Sequence, residues 1–265
     1  MIKPVEGYKA CALAELSGKW GSVILMMLAY LVLQFIVGFV FGLIITVVSI
    51  GAMAAYGEIG GGVVNITGRI IASFIYVPFA FGISMSFIGF VRHKNSLLIE
   101  RAFADGYDRM AVAILRNLYT ILWACLLFVP GIIKAYSYIL TPYIVWENPG
   151  ISANSAIDMS RSMMKGHKFE MFLVHLHILW WWILLMLVAG IGVFICYASI
   201  SSGYSIVSIL LLLLFYGLIM LGGVIGVFYL MPIVECAQAL FYEDLLEEKK
   251  EYSTTTSASS SEMKF

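Results

Sequence analysis

His175 and His177 are the side chains best suited by type to hold a metal ion. Their spacing argues against it. On a helix, residues two apart point about 200° away from each other, and a metal needs ligands that converge. Both are read as interfacial packing and hydrogen-bonding groups. Arg116 lies inside an apolar stretch, where a charge is a functional candidate by default. It lies only two turns in, so its side chain is expected to extend back towards the interface and pair with Asp105 or Asp108. Apart from Glu147 and Glu170 at the edges of their stretches, no Asp or Glu interrupts an apolar stretch until Glu235, although ion-coupled carriers place ionisable groups in the membrane interior. Cys11, Cys125, Cys196 and Cys236 are scattered and read as packing residues, not as a disulfide or metal set. The chain carries no nucleophile elbow, phosphate loop or zinc-protease motif. No catalytic residue, metal or cofactor is expected.

The elements around these residues are apolar to an extent that water does not permit. Of 265 residues, 62% are hydrophobic and 12% charged, against roughly 25% charged in soluble chains. Lipid is the natural solvent for that excess. A net charge of zero gives no basic excess that would point to nucleic acid. The first apolar run, from about Gly21 to Ile50, far exceeds the roughly 7–15 residues of a signal peptide's apolar core, so it is a retained span.

The pattern predicts an all-α, polytopic membrane bundle of about six transmembrane helices in three hairpins, with short cytosolic amphipathic helices. Spans are expected near 20–46, 70–91, 110–129, 131–147, 169–196 and 206–234, in one integral membrane domain over 1–250. A Ser/Thr-rich tail, 251–265, is expected to be disordered. The Gly-rich stretch 51–68 and residues 198–205 read as loops. Residues 1–19 read as an interfacial helix carrying Tyr8, Cys11, Ala12 and Leu16 on one face.

The decisive ambiguity is Pro130-Gly131, which either kinks one long helix or turns the chain between two spans. As a turn, it leaves all but three of the 16 Lys and Arg residues on one side; the exceptions are Arg69, Arg116 and Lys134. Positive charge stays cytoplasmic, so six spans with both termini inside is the expected topology. Two small-residue pairs, Gly38/Gly42 and Gly222/Gly226, read as internal packing contacts more readily than as a homo-oligomer interface. An aromatic followed closely by Pro78, Pro142 or Pro232 hints at a three-hairpin repeat, but ordinary helix kinks explain it as well.

The most informative polar stretch is 148–168. Ser152 is placed to cap a helix, Gly166 to end it, and Arg161, Lys165, His167 and Lys168 to gather at its C-terminus, where the dipole favours cations. These four are the candidate lipid-headgroup residues, with topology enforcement as the plainer reading of the same charges.

Gly18-Lys19-Trp20-Gly21, the run Val129–Tyr138, Pro142-Tyr143-Ile144, Glu147-Asn148-Pro149, Ser160–Lys168 and Phe241–Leu245 together resemble the bacterial integral membrane family called domain of unknown function 975. The resemblance covers nearly the whole chain, most specifically 129–168. It implies a multi-pass bacterial inner-membrane protein with no established activity and no functional residues to carry over. Two function classes stay open: a non-catalytic, lipid-interacting scaffold with an envelope-stress or resistance role, and a transporter or permease for a small or amphiphilic solute. Membrane lipids are an expected partner and nucleic acid is not; a protein partner is unspecified, and a homo-oligomer stays open.

Overall fold

The computed structural model describes residues 3–93, 106–202 and 206–262. Much of the basic loop expected at 92–109 lies outside them. The described residues are helical with short connections and contain no strand. Helix α1 spans Val5–Leu16 and α2 Trp20–His93; α3 (Gly106–Leu126) and α4 (Phe128–Ser137) follow. After them come α5 (Thr141–Glu147), α6 (Ala153–Met163) and α7 (Lys168–Ser202). Helix α8 (Ile206–Ile225) leads through a π-helical turn, Gly226–Leu230, into α9 (Met231–Glu262).

Helix α2 is a hairpin in itself. At Gly57 the backbone takes φ 72°, ψ −170°, a conformation that glycine adopts without steric cost. The chain then runs back along its own path. Ser49 Oγ donates to the Gly61 carbonyl at 2.8 Å, a Cβ on Gly68 would meet Ile45 at 2.8 Å, and the Tyr30 and Ser86 hydroxyls lie 3.3 Å apart. The Gly-rich stretch 51–68 is therefore helical apart from Gly57, not a loop. Repeated glycine signals a loop in water, but in a paired helix it lets the limbs approach.

The chain next reverses at Leu127, whose backbone is extended (φ −159°, ψ 138°), three residues before the turn expected at Pro130-Gly131. Pro130 instead sits in the first turn of α4, where its missing N–H costs no helical bond. Gly131 permits the close approach: a Cβ there would lie 2.6 Å from Ala124 Cα. Helices α7 and α8 form the third hairpin. Phe215 packs on Gly192, Met186 on Gly222 and Trp182 on Gly226, and Trp182 Nε1 donates to the Gly222 carbonyl at 2.8 Å. The Gly222/Gly226 pair thus packs within the chain. Helix α7 continues through Ser202, so 198–202 is helical. Helix α9 runs on to Glu262, through most of the stretch expected to be disordered, because extending an existing helix costs far less than nucleating one. The π turn precedes Pro232, which cannot bond back four residues.

The three hairpins converge on one buried base. Its core gathers Tyr8, Leu16, Met26, Phe87, Ile88, Tyr143, Met171, Cys236 and Tyr242 in one cluster. Beyond the base the hairpins expose long apolar surfaces. Helix α1 belongs to the base: Tyr8, Ala12 and Leu16 are buried, with the Tyr8 ring 5.4 Å from Phe241. The face expected to lie on lipid is covered by protein. Among the described residues, three helices are long and apolar enough to cross a membrane, α2 among them. This is an all-α membrane protein.

Candidate functional site

Two polar assemblies lie at the base. The first is the groove beside α6. Ser152 caps α6 by accepting from the Ser155 amide at 3.2 Å, and Gly166 takes φ 99° just past the helix. Ala156, Ile157 and Ser160 face inward, with Ser160 Oγ donating to the Ser137 carbonyl at 3.0 Å. That bond fixes α6 to the end of α4 and turns its charges outward. Arg161 pairs with Asp158 at 3.6 Å, and His167 Nδ1 lies 3.0 Å from Glu170.

Of the four basic candidates, Lys165 and His167 line a groove of about 450 Å³, with Ser162, Met163 and, from α9, Leu245, Glu248 and Lys249. Arg161 and Lys168 do not line it; they lie within electrostatic reach of Lys134 on α4. Lys249 was missed from sequence. Its only signal was the Lys249-Lys250 pair near the end of the last helix, which does not say that α9 passes beside the α6–α7 turn. The groove offers two amines, an imidazole and a hydroxyl, with one carboxylate, Glu248, and the apolar side chains of Met163 and Leu245. Such donors suit the oxygens of a phosphate ester whose remainder is apolar.

The second assembly joins the chain's polar motifs. Arg92, at the end of α2, bridges Glu147 and Glu243, and Tyr242 Oη donates to Glu147. Asp244 accepts from Lys3 Nζ and from Tyr8 Oη, both at 2.7 Å. Burial pulls the Arg92 guanidinium down, but Glu243 and Glu147 together more than offset this and hold it above its ordinary value. Burial, reinforced by the Asp244 carboxylate, raises the Tyr8 phenol well above its usual range. Burial and Glu147 do the same to Tyr242.

Deeper in the base, Arg116 does not extend back to the interface. Its guanidinium lies 5.4 Å from the Phe81 ring centroid and within electrostatic reach of Glu235 and Tyr143. Tyr143 Oη lies 3.5 Å from Gln238 Oε1, and Gln238 Nε2 is 3.0 Å from His175 Nε2. Glu235 Oε2 and His175 Nδ1 are buried without a hydrogen-bond partner. Among the described residues no three His, Cys, Asp or Glu side chains converge as a metal would require, and all four cysteines are free thiols.

The residues that unite these assemblies (Tyr143, Glu147, Ser160 and the Phe241–Leu245 run) come from motif stretches far apart in the chain. A comparison with curated proteins found no match, and no solved structure matches either. One family model does match, over residues 112–249, a span that holds the α6 groove, the Glu147–Tyr242 contact and Arg116 with Glu235. On that match the chain belongs to the family described as Protein of unknown function (DUF975).

Proposed function

We propose that this protein is a non-catalytic component of the bacterial inner membrane that binds anionic phospholipid headgroups in the groove between the α6–α7 turn and α9. The observation that carries this reading is the composition of the groove. Lys165 and Lys249 line it together with the His167 imidazole and the apolar Met163 and Leu245, and they outnumber its one carboxylate, Glu248, so cationic donors and apolar side chains meet in one groove, as a lipid's headgroup and glycerol region require. Each basic side chain near an anionic surface contributes about 1 kcal/mol of attraction. The base faces the cytosol in this reading, because the basic residues concentrate there. Both termini are then cytosolic.

Native mass spectrometry tests it. Purified wild type should retain phosphatidylglycerol or cardiolipin through mild detergent, and Lys165→Ala with Lys249→Ala should lose several-fold of it at unchanged thermal stability. Equal retention in the double variant would sink the reading and leave topology enforcement as the role of these charges.

A second reading, a permease for a small or amphiphilic solute, has one observation in its favour. Glu235 Oε2 and His175 Nδ1 are unpartnered inside the bundle, and buried polar atoms normally have partners. A transported polar solute would supply them. Solute-dependent thermal stabilisation of wild type that Glu235→Gln abolishes would favour this reading.

A further inference from the structure

We propose that α3 and α4 form a re-entrant hairpin, which enters the apolar layer beside α6, turns at Leu127 among lipid acyl chains, and returns to the same face. The chain then has four spans and one half-hairpin, not six spans. The argument is one of reach. Tyr136 on α4 packs against Phe172 and His175 of α7, with ring centroids 5.9 and 5.5 Å apart. At 1.5 Å per residue, α4 rises only about 12 Å from Tyr136 to Phe128, whereas α7 rises about 40 Å from His175 to Ser202. The other side of the hairpin agrees. Arg116 lies over Phe81 of α2. From there α3 rises about 15 Å to Leu126, while α2 rises about 36 Å to Gly57. Both neighbouring hairpins therefore overtop Leu127 by roughly 20–30 Å, measured by helical rise.

Solvation then sets the depth. The overtopping segments are bare and apolar: Val47 is 68% exposed and Phe194 72%. If Leu127 emerged at the far surface, those segments would stand in water. Sinking them into the hydrocarbon, about 30 Å thick, places Leu127 inside it. The tip is itself made for lipid, with Leu126, Leu127 and Val129 exposed by 70%, 66% and 64%. Two polar contacts fix the near side. Tyr119 Oη donates to Asn154 Oδ1 of α6 at 3.2 Å, about 10 Å below the tip by helical rise. Lys134 lies near Arg161 and Lys168, so it belongs with the basic face instead of the opposite one. A hairpin that returns to its own side preserves parity. Both termini and the 147–168 segment still share one face, so the charge asymmetry that favours six spans favours this topology equally. Pro130 fits as well, because its missing N–H leaves one donor fewer to satisfy at membrane depth, and the reversing residue's own backbone groups are paired. Here the Leu127 amide bonds the Trp123 carbonyl at 3.2 Å, and the Gly131 amide bonds the Leu127 carbonyl at 3.1 Å.

The inference stands on the α3–α4 geometry and is independent of headgroup binding in the groove. The natural thiol Cys125, exposed near the tip, is the probe. In spheroplasts, an impermeant maleimide should label Glu58→Cys, beside the α2 turn, and leave Cys125 unmodified, as read by peptide mapping; this needs no substitution at the tip. In a protein carrying Cys11→Ser, Cys196→Ala and Cys236→Ala, a nitroxide on Cys125 in phosphatidylethanolamine–phosphatidylglycerol vesicles should collide with oxygen in preference to a nickel chelate. The oxygen-to-nickel ratio should be several-fold higher than at Glu58→Cys or Asp158→Cys. Labelling of Cys125 together with Glu58→Cys would overturn the proposal in favour of two full spans. Preferential collision with the nickel chelate would overturn it in favour of a water-filled vestibule.

Discussion

Tyr242 donates a hydrogen bond to Glu147 across a sequence separation of 95 residues, and Arg92 grips the same carboxylate from α2. Three helices from three parts of the chain thus meet on one side chain, and the Tyr143 and Tyr242 rings pack beside it in a tilted pair with centroids 5.4 Å apart. This contact closes the base against which the hairpins stand. Tyr242→Phe removes one hydrogen bond to a charged acceptor and is expected to cost about 1.5–3 kcal/mol. Arg92→Ala should cost more than Tyr242→Phe, because it leaves Glu147 and Glu243 facing each other. Thermal unfolding in detergent, monitored by tryptophan fluorescence, checks both; an Arg92→Ala protein as stable as wild type would refute the keystone role.

The raised phenols of Tyr8 and Tyr242 have a consequence at alkaline pH. In the unfolded chain they ionise near 10.0, while in the fold they stay protonated to higher pH. Above about pH 10 the folded state therefore holds more protons than the unfolded one, and stability falls as pH rises. Below that pH the contribution is fully present. The slope of melting temperature against pH between 9.5 and 11 should be shallower in Tyr8→Phe with Tyr242→Phe. An unchanged slope would mean that other groups govern alkaline unfolding.

Adjacent glycines in α8 should behave oppositely. A Cβ on Gly222 would run into Met186, whereas one on Gly223 meets nothing within 4 Å. Gly222→Val should lose about 1–3 kcal/mol through overpacking, and Gly223→Val should lose little. Both substitutions carry the same helix-propensity change, so the difference in melting temperature isolates the α7–α8 contact. Equal melting temperatures would show that Met186 simply moves aside.

Arg116 and Glu235 are expected to be coupled. Arg116→Met removes a cation whose charge acts on the Glu235 carboxyl, which is buried to nine-tenths, and burial without that compensation destabilises. Adding Glu235→Gln should recover much of the loss, with a coupling energy of about 1–3 kcal/mol. Four melting curves complete the cycle; additive effects would place the two side chains out of electrostatic contact.

What the linear sequence by itself determined is the solvent and the local grammar. Its apolar runs demand lipid whatever their arrangement, so the all-α membrane class was legible. So was Ser152 as the cap of α6, because its bond to the Ser155 amide is made within one turn of the chain. Gly166 as the helix terminator is equally local. Where the turns fall was less legible. Pro130-Gly131 looked like the reversal, yet Leu127 makes it, because a Pro in a helix's first turn and a Gly in a helix contact leave the same letters as a turn. Tertiary structure alone decided that Arg116 lies over Phe81 within reach of Glu235's charge, that α1 is covered by α9, and that Lys249 joins Lys165 and His167 in one groove. Each depends on helices distant in the chain lying side by side. In a membrane, most of the residues along those helices are apolar whether they face lipid or protein, so hydrophobic periodicity, which betrays the buried face of a soluble helix, is silent about which faces meet.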